Sequence, residues 1–194
     1  MVDDLVARTD EPAMRLFIAV DVPQAVVLAV AAAIEPWREA FPNVRWVPPA
    51  NWHITLKFLG ATPADRVPWV EESVGGIASA HRRATAGVRG LGAFPSVERA
   101  RVLWAGVDDP EAGLDELVTD LETGLAPEFR KEMRRFHPHL TVARSEPPVR
   151  LPPTYADTSL ATQPFSSGNV VLYRSRSQGG ATTYEPLRSF TLGG

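Results

Sequence analysis

Cysteine is absent from the 194 residues of this chain, and its absence excludes several kinds of chemistry at once. The chain has no thiol for a disulfide, for thiolate catalysis or for a cysteine-bound zinc ion. Long apolar runs are also missing, since no stretch approaches the roughly 18 residues that a membrane-spanning helix requires. Residues 1–9 contain Asp3 and Asp4 and lack the apolar segment of a secretory signal. We therefore expect a cytoplasmic protein without membrane contact.

Positive charge is in short supply, because 20 Lys and Arg residues stand against 23 Asp and Glu residues and the net charge is −3. This balance argues against broad, non-specific binding of nucleic acids, which needs a basic surface. One local basic cluster consists of Arg130, Lys131, Arg134 and Arg135. Such a run is typical either of a solvated loop or helix end or of a segment that guides a polyanion, and the residues leave both interpretations open.

Histidine is scarce as well, but two of the four histidines lie in matching stretches. Residues 51–60 read NWHITLKFLG, and residues 136–144 read FHPHLTVAR. In each stretch a histidine and a threonine stand two places apart, and each of them is followed by an aliphatic residue. The two pairs are His53 with Thr55 and His139 with Thr141. Because side chains alternate between the two faces of a strand, each pair shares one face.

Strict alternation makes further assignments in the first stretch. It predicts that Lys57 shares the face of His53 and Thr55. The opposite face, toward a core, receives the apolar residues Trp52, Ile54, Leu56 and Phe58. A single histidine of this kind is most often a half-exposed strand residue, but two matching copies favour one shared site.

Two facing imidazoles suit acid–base chemistry near neutral pH, because the ordinary pKa of histidine is near 6.5. One ring takes a proton from an attacking water or hydroxyl while the other gives a proton to the leaving oxygen. Threonine hydroxyls donate to phosphate oxygens, so the pattern favours in-line displacement at phosphorus. Metal ligation by His53, His137 and His139 is the rival interpretation, but neither motif contains Asp or Glu. We therefore expect neither a metal nor a cofactor.

The remaining residues predict an α+β fold with antiparallel sheets. Helices are predicted at residues 21–32, with Pro36 ending or kinking the first one, at 63–80 and at 111–125. Strands are predicted at residues 16–20, 45–47, 84–91, 101–107, 169–174 and 184–192. Residues 1–13 are expected to be a flexible lead-in, and residues 14–194 a single domain. A long connection is expected at residues 146–164, and a mobile loop at residues 175–183.

These motifs resemble those of the two-histidine (2H) phosphoesterases, in particular the bacterial LigT-like RNA 2′,3′-cyclic phosphodiesterases, formerly described as 2′-5′ RNA ligases. The run RWVPPAN precedes His53, KFLG follows Thr55 and Leu56, and PHLTVAR surrounds His139. Further similar segments are MRLFIAV at 14–20, RVLWAGV at 101–107, LYRSR at 172–176 and YEPL at 184–187. The resemblance covers about residues 14–192. It implies a bilobal fold in which two pseudo-symmetric antiparallel sheets with outer helices flank a central cleft.

The resemblance also implies an activity and a role for each motif residue. Enzymes of this kind open a terminal 2′,3′-cyclic phosphate of RNA and leave a 2′-phosphate. By this resemblance His139 is the general base on water, His53 is the acid for the 3′ oxygen, and Thr55 and Thr141 hold the phosphate. The motifs are nearly equivalent, so the residues themselves leave the order of acid and base open.

Three further positions and two other functions belong to this interpretation. The residues five places beyond each histidine, Phe58 and Arg144, are expected to stack on the nucleoside, although strict alternation turns both away from the cleft. His137 departs from the family pattern and shares the parity of His139, so it either contacts substrate or only begins the strand. The expected partners are RNA ends or nucleotides with a 2′,3′-cyclic phosphate, bound by a monomer. The alternatives are a related enzyme for a small cyclic nucleotide, an ADP-ribose cyclic phosphate or a 2′-5′ linkage, and a non-catalytic nucleotide-binding module.

Overall fold

Residues 13–178 and 181–193 are described by a computed structural model of the protein. Within these residues the helices are α1 (Gln24–Ala40), α2 (Val67–Ala80) and α3 (Gly113–Gly124). The strands in the same residues are β1 (Met14–Asp21), β2 (Arg45–Trp46), β3 (His53–Thr62), β4 (Ala84–Phe94), β5 (Ala100–Asp108), β6 (His139–Val149), β7 (Phe165–Ser167), β8 (Asn169–Gln178) and β9 (Ala181–Thr191). The predicted α+β class is confirmed. The predicted lead-in lies, apart from Ala13, outside the described residues.

All of the strands belong to one antiparallel sheet that has two halves. The strand order is β7-β4-β5-β6-β3-β1-β8-β9, and β2 adds to β6. The two sheets implied by the family resemblance are therefore the halves β7-β4-β5-β6 and β3-β1-β8-β9. They meet where Ile54 of β3 pairs with Leu140 of β6. The two histidine motifs thus lie on the strands at the centre of the sheet.

Helix formation follows apolar spacing, and tertiary contacts extend it. The buried residues of α1 are Val26, Val30 and Ile34, at intervals of four that place them on one stripe. Pro36 lies inside α1 and does not end it, so of the two predicted effects, ending or kinking the helix, the first does not occur. Residues of a distant segment stabilise the helical turn at Pro36. Trp37 donates from Nε1 to the Thr158 hydroxyl at 3.0 Å and packs against Tyr155. Contacts with a distant segment therefore offset the backbone hydrogen bond that proline cannot make.

The strands are longer than the sequence pattern indicates. Register pairs continue through Ser175 with Tyr184 and Ser177 with Thr182, where a mobile loop is predicted. That prediction is wrong for the described residues, and residues 179–180 lie outside them. Likewise β6 runs on to Val149, so the long connection predicted at 146–164 begins later. Cross-strand hydrogen bonds between distant residues override a local composition that is typical of loops.

The described helices are too short or too polar for any of them to cross a lipid bilayer.

Candidate active site

Two imidazoles begin the central strands, and the backbone orients both in the same way. His53 Nδ1 lies 2.9 Å from the carbonyl oxygen of Asn51, and His139 Nδ1 lies 2.6 Å from that of His137. A carbonyl oxygen can only accept, so in each ring the Nδ1–H group donates the hydrogen bond. The proton on Nδ1 leaves Nε2 of each neutral ring as the basic nitrogen. The two histidines are thus held as equivalent proton carriers.

The pairing of the strands brings each histidine to the threonine of the other motif. Ile54 lies opposite Leu140, and these residues directly follow His53 and His139. One step along this antiparallel register in either direction sets His53 beside Thr141 and Thr55 beside His139. All four side chains are half-buried, whereas Ile54 and Leu140 between them are fully buried. The predicted assembly of the two pairs on one face therefore occurs.

A bulge at the same place in both motifs reverses the alternation that the sequence predicts. Between β1 and β3 the register passes from Thr55 to Lys57 and skips Leu56. Between β5 and β6 it passes from Thr141 to Ala143 and skips Val142. Both strands consequently share one burial pattern over seven residues, in which the fourth and fifth positions are buried and the sixth is exposed. A bulge of one residue moves every later side chain to the other face.

The bulge corrects the prediction for Lys57 and changes the surroundings of Phe58. Lys57 is 3% exposed and lies behind the site, where its Nζ is 2.5 Å from Oε2 of Glu122 in α3. The predicted placement of Lys57 beside His53 is therefore wrong. Phe58 turns to the site face and is 69% exposed, although alternation assigns it to the core. Arg144, its equivalent in the second motif, is exposed in the same way.

Two cavities flank the histidines. The first, called the His53 cavity, has a volume of about 250 Å³. Its lining includes His53, Thr55, Thr141, Phe58, Arg144 and Tyr184. The second, called the His139 cavity, has a volume of about 280 Å³ and is lined by His139 and His137 among others. Five of the six predicted site residues thus share one cavity, and the sixth, His139, lines the other.

Aromatic rings surround His53, and sequence reasoning did not assign them to the site. The Phe17 ring stacks on the imidazole at 4.8 Å, and the Tyr184 ring meets its edge at 5.0 Å. Tyr173 stacks on Phe17 at 5.2 Å and donates from its hydroxyl to Asp21 at 2.6 Å. All three aromatic residues lie outside the histidine motifs, in other segments that resemble the family. That resemblance was the signal in the sequence that could have assigned them to the site. Phe17 and Tyr184 thus pack against His53 and line the His53 cavity together with it.

Burial lowers the pKa of both imidazoles. It lowers the pKa of His53 to about 4, although the hydrogen bond to Asn51 and the charge of Asp21 act in the opposite direction. The pKa of His139 is also lowered, first by burial and then by the positive charge of Arg144. Desolvation has this effect because it disfavours the charged imidazolium. Burial therefore favours the neutral form of both rings in the free protein.

His137 and the basic cluster of residues 130–135 lie in the chain just before His139. His137 is exposed and lines the His139 cavity, as its parity predicts. In the basic cluster Arg134 binds Glu132, with Nη2 and Oε2 2.8 Å apart, so part of its charge is neutralised. Within residues 13–178 and 181–193 no three His, Asp or Glu side chains form a group that would suit a metal ion.

Known sequences are similar to this chain over most of its length. Residues 25–104 match the sequence model of the family described as LigT like Phosphoesterase. The RNA 2′,3′-cyclic phosphodiesterase of Escherichia coli strain K12 is 32% identical over 183 residues, which cover 92% of this chain and 96% of that protein. The protein of that name from Geobacillus stearothermophilus is 31% identical over 180 residues, which cover 91% of this chain and 56% of that protein.

Solved structures agree with the sequences. The crystal structure of E. coli LigT complexed with NADP+ matches with a TM-score of 0.74 at 26% identity, covering 95% of this chain and 100% of that one. The complex of the same protein with 3′-AMP matches with a TM-score of 0.70 at 28% identity, covering 94% and 99%. The predicted bilobal fold is thereby confirmed. On the strength of these matches, the chain belongs to the LigT-like family of 2H phosphoesterases.

Proposed function

We propose that this protein hydrolyses the terminal 2′,3′-cyclic phosphate of RNA to a 2′-phosphate, without a metal ion, through its two histidines. The observation that carries the proposal is the matched pair of Nδ1 hydrogen bonds, which leaves the Nε2 atoms of His53 and His139 as the reactive nitrogens. The name shared by the E. coli and Geobacillus relatives supports the choice of substrate.

The reaction is a single in-line displacement at phosphorus. His139 Nε2 takes a proton from water, and the water oxygen forms the new bond to phosphorus. The bond from phosphorus to the 3′ oxygen breaks, and a protonated His53 gives its Nε2 proton to that oxygen. The product carries a 2′-phosphate and a free 3′-hydroxyl. A proton then passes from His139 to solvent and another returns to His53, which completes the cycle.

The two cavities support this order of acid and base. Phe58 and Arg144 line the same cavity as His53, so a nucleoside held between them places its 3′ oxygen on the His53 side. His139 borders the other cavity, where a water molecule has room to approach phosphorus from the opposite side. In-line displacement requires the entering and leaving oxygens to lie on opposite sides, which this arrangement provides.

Threonine hydroxyls and substrate charge complete the site. Thr55 and Thr141 line the His53 cavity and donate to the non-bridging oxygens, where negative charge accumulates in the transition state. The buried His53 has a pKa of about 4 in the free protein and is a poor proton donor at pH 7. A bound phosphate anion beside the ring stabilises the imidazolium and raises that pKa, so the substrate itself favours the acid form.

Phe58 and Arg144 are proposed to bind the base of the terminal nucleoside. Both side chains are exposed, belong to the same cavity and occupy equivalent positions beyond the bulges. An aromatic ring and a guanidinium plane both stack on bases without reading their identity. All of these side chains come from one chain, and we propose that a monomer is the active form.

The test is hydrolysis of a defined panel followed by identification of the product. The panel contains an oligonucleotide with a 2′,3′-cyclic phosphate end, the four cyclic mononucleotides, ADP-ribose cyclic phosphate and a 2′,5′-linked dinucleoside. We expect the oligonucleotide to have the highest kcat/KM and to yield only the 2′-phosphate, as read by ³¹P NMR. A 3′-phosphate product would contradict the assignment of the 3′ oxygen as the leaving group. A preference for a small cyclic nucleotide would favour the alternative substrate class.

A further inference from the structure

The His139 cavity has no role in the proposed reaction beyond admitting water, yet its volume of about 280 Å³ far exceeds that need. Its lining includes Phe94, Trp104 and His137 beside His139. On the other side of the site, Phe17 and Tyr184 pack against the imidazole of His53, and both rings also line the His53 cavity. Each histidine therefore has aromatic rings and a cavity beside it, but the proposed reaction places a nucleoside in only one of the two cavities.

Trp104 lines this cavity, and a glycine makes room for its indole ring. In the register of the sheet Trp104 lies between Gly92 on β4 and Thr141 on β6, so its side chain shares the sheet face of the phosphate site. A Cβ atom on Gly92 would overlap with the indole ring, whereas one on Gly106 would overlap first with the backbone oxygen of Arg89. The indole therefore extends along the sheet over Gly92, a position that only glycine allows.

The other rings extend this aromatic surface to the catalytic histidine. The centroid of the Phe94 ring lies 5.3 Å from that of Trp104 and 5.2 Å from that of His139, which it meets edge-on. The ring of His137 lies 6.4 Å from Phe94. Trp104 Nε1 is buried and has no hydrogen-bond partner among the described residues. The cavity thus presents aromatic rings next to the imidazole of His139.

We propose that the His139 cavity binds the base of a second nucleoside, with Trp104 and Phe94 as the stacking surface. This inference rests on the proposed function and specifies its substrate as an RNA end of at least two nucleotides. Aromatic side chains beside a phosphate site suit a base, since every base offers a π face for stacking. The nucleoside that reaches the cavity is the one before the terminal nucleotide in the same strand.

The base in the His139 cavity could also belong to a second kind of substrate, and the experiment distinguishes the two. In a 2′,5′-linked dinucleoside the second nucleoside is attached to the phosphate itself, on the side away from the first ribose. Attack of the neighbouring 3′-hydroxyl on phosphorus then breaks the bond to the 5′ oxygen, which leaves with a proton, and forms a 2′,3′-cyclic phosphate. Both substrates place a base near His139, but by different connections.

The experiment compares kcat/KM for adenosine 2′,3′-cyclic phosphate, for the adenylyl-(3′,5′)-adenosine 2′,3′-cyclic phosphate dinucleotide, and for 2′,5′-linked adenylyl-adenosine. We expect the wild-type protein to prefer the dinucleotide cyclic phosphate over the mononucleotide by about 5- to 100-fold, the usual effect of one stacked base. Trp104→Leu should bring this ratio close to one. The matched control is Phe58→Ala in the other cavity, which should lower both values and leave their ratio in place.

A second variant guards against a change of fold at Trp104. His137→Ala removes an exposed ring from the same cavity and keeps the backbone oxygen that accepts from His139. We expect it to lower the dinucleotide preference in the same direction. If both variants lower only the cleavage of the 2′,5′-linked substrate, the occupant is the nucleoside across the phosphate.

Two outcomes overturn the inference, and they can be told apart. If the wild-type protein shows no gain from a second nucleoside in either substrate, or if neither variant changes the dinucleotide preference or the cleavage of the 2′,5′-linked substrate, the subsite does not exist although the proposed function stands. If no cyclic phosphate is hydrolysed at all, the proposed function fails and this inference fails with it.

Discussion

Ile54 of β3 lies directly opposite Leu140 of β6, and each of them is the residue that follows a motif histidine. Because equivalent residues of the two motifs lie opposite each other, a local two-fold axis relates the two strands at this pair. The register next to this pair sets His53 beside Thr141 and Thr55 beside His139. Each histidine is therefore matched with the threonine of the opposite motif, and neither motif forms a complete half of the site alone.

Loss of either imidazole is expected to disable the reaction. His53→Ala or His139→Ala should lower kcat for a cyclic phosphate by about 10²- to 10⁴-fold, the usual share of one acid–base group. The control is His81→Ala, because His81 lies at the end of α2 and binds Asp120 outside both cavities. Steady-state kinetics on the three folded variants check this. Near-normal turnover in His53→Ala or in His139→Ala would contradict the two-histidine mechanism.

The pH dependence follows from the lowered pKa values. One histidine must be neutral and the other protonated, so kcat/KM should be greatest between the two pKa values of the free protein. The pKa of His53 is about 4 and that of His139 lies below its ordinary value. We therefore expect the kcat/KM optimum below pH 6.5, and a kcat optimum at higher pH, since bound phosphate raises both values. Profiles from pH 4 to 9 measure both quantities. A kcat/KM maximum above pH 7 would contradict the assignment.

Hydrolysis is expected to survive the removal of divalent cations. In the proposed reaction both reacting groups are imidazoles and the negative charge is met by hydroxyls, so no step requires a Lewis acid. Dialysis against EDTA, followed by the cyclic-phosphate assay in metal-free buffer, gives the measurement. If activity disappears and returns on addition of a divalent ion, the metal interpretation of His53, His137 and His139 becomes the better one.

Arg144 is expected to act mainly in binding. Arg144→Ala should raise KM for all four nucleoside 2′,3′-cyclic phosphates by about 5- to 100-fold with little preference among bases, because a guanidinium plane stacks on any base. A suitable control is Arg101→Ala, since Arg101 is also exposed but pairs with Glu146 away from both cavities. An unchanged KM with a large fall in kcat would mean that Arg144 stabilises the phosphate in the transition state instead.

The pair formed by Lys57 and Glu122 is expected to stabilise the fold. The Lys57 side chain is 2% exposed and that of Glu122 is 14% exposed, so Lys57→Ala leaves a nearly buried carboxylate without its cation. We expect the free energy of unfolding to fall by about 3–5 kcal/mol, as measured in urea. The exposed pair of Arg66 and Glu128 provides the control, and Arg66→Ala should cost about 0–1 kcal/mol. Equal losses in the two variants would show that burial adds nothing at Lys57.

Much of the site and fold class was accessible from local pattern. Alternation along a strand placed His53 with Thr55 and His139 with Thr141, and apolar spacing located the helix at α3. These features depend on residues within one or two turns or strand repeats, so composition and periodicity were sufficient. The chemistry of the paired imidazoles also followed from residue type, because their ordinary pKa near 6.5 is a property of the side chain.

Other features depended on contacts between residues far apart in the chain. The bulges at Leu56 and Val142 arise from pairing with neighbouring strands, and they send Lys57 behind the sheet and Phe58 into the site. The continuation of α1 past Pro36 likewise depends on Trp37 meeting the segment at Thr158.

By itself, then, the sequence determined which groups perform the chemistry and that they lie on strands. Only the tertiary structure decided which face each later residue occupies and which rings surround each histidine. The reason is that the sequence predicts the face of a strand residue only while side chains alternate without interruption. A bulge in the pairing with a neighbouring strand interrupts this alternation, and the local sequence gives no sign of it. The open cavity at Trp104 has the same origin, since it depends on Gly92 of another strand lying beneath the indole.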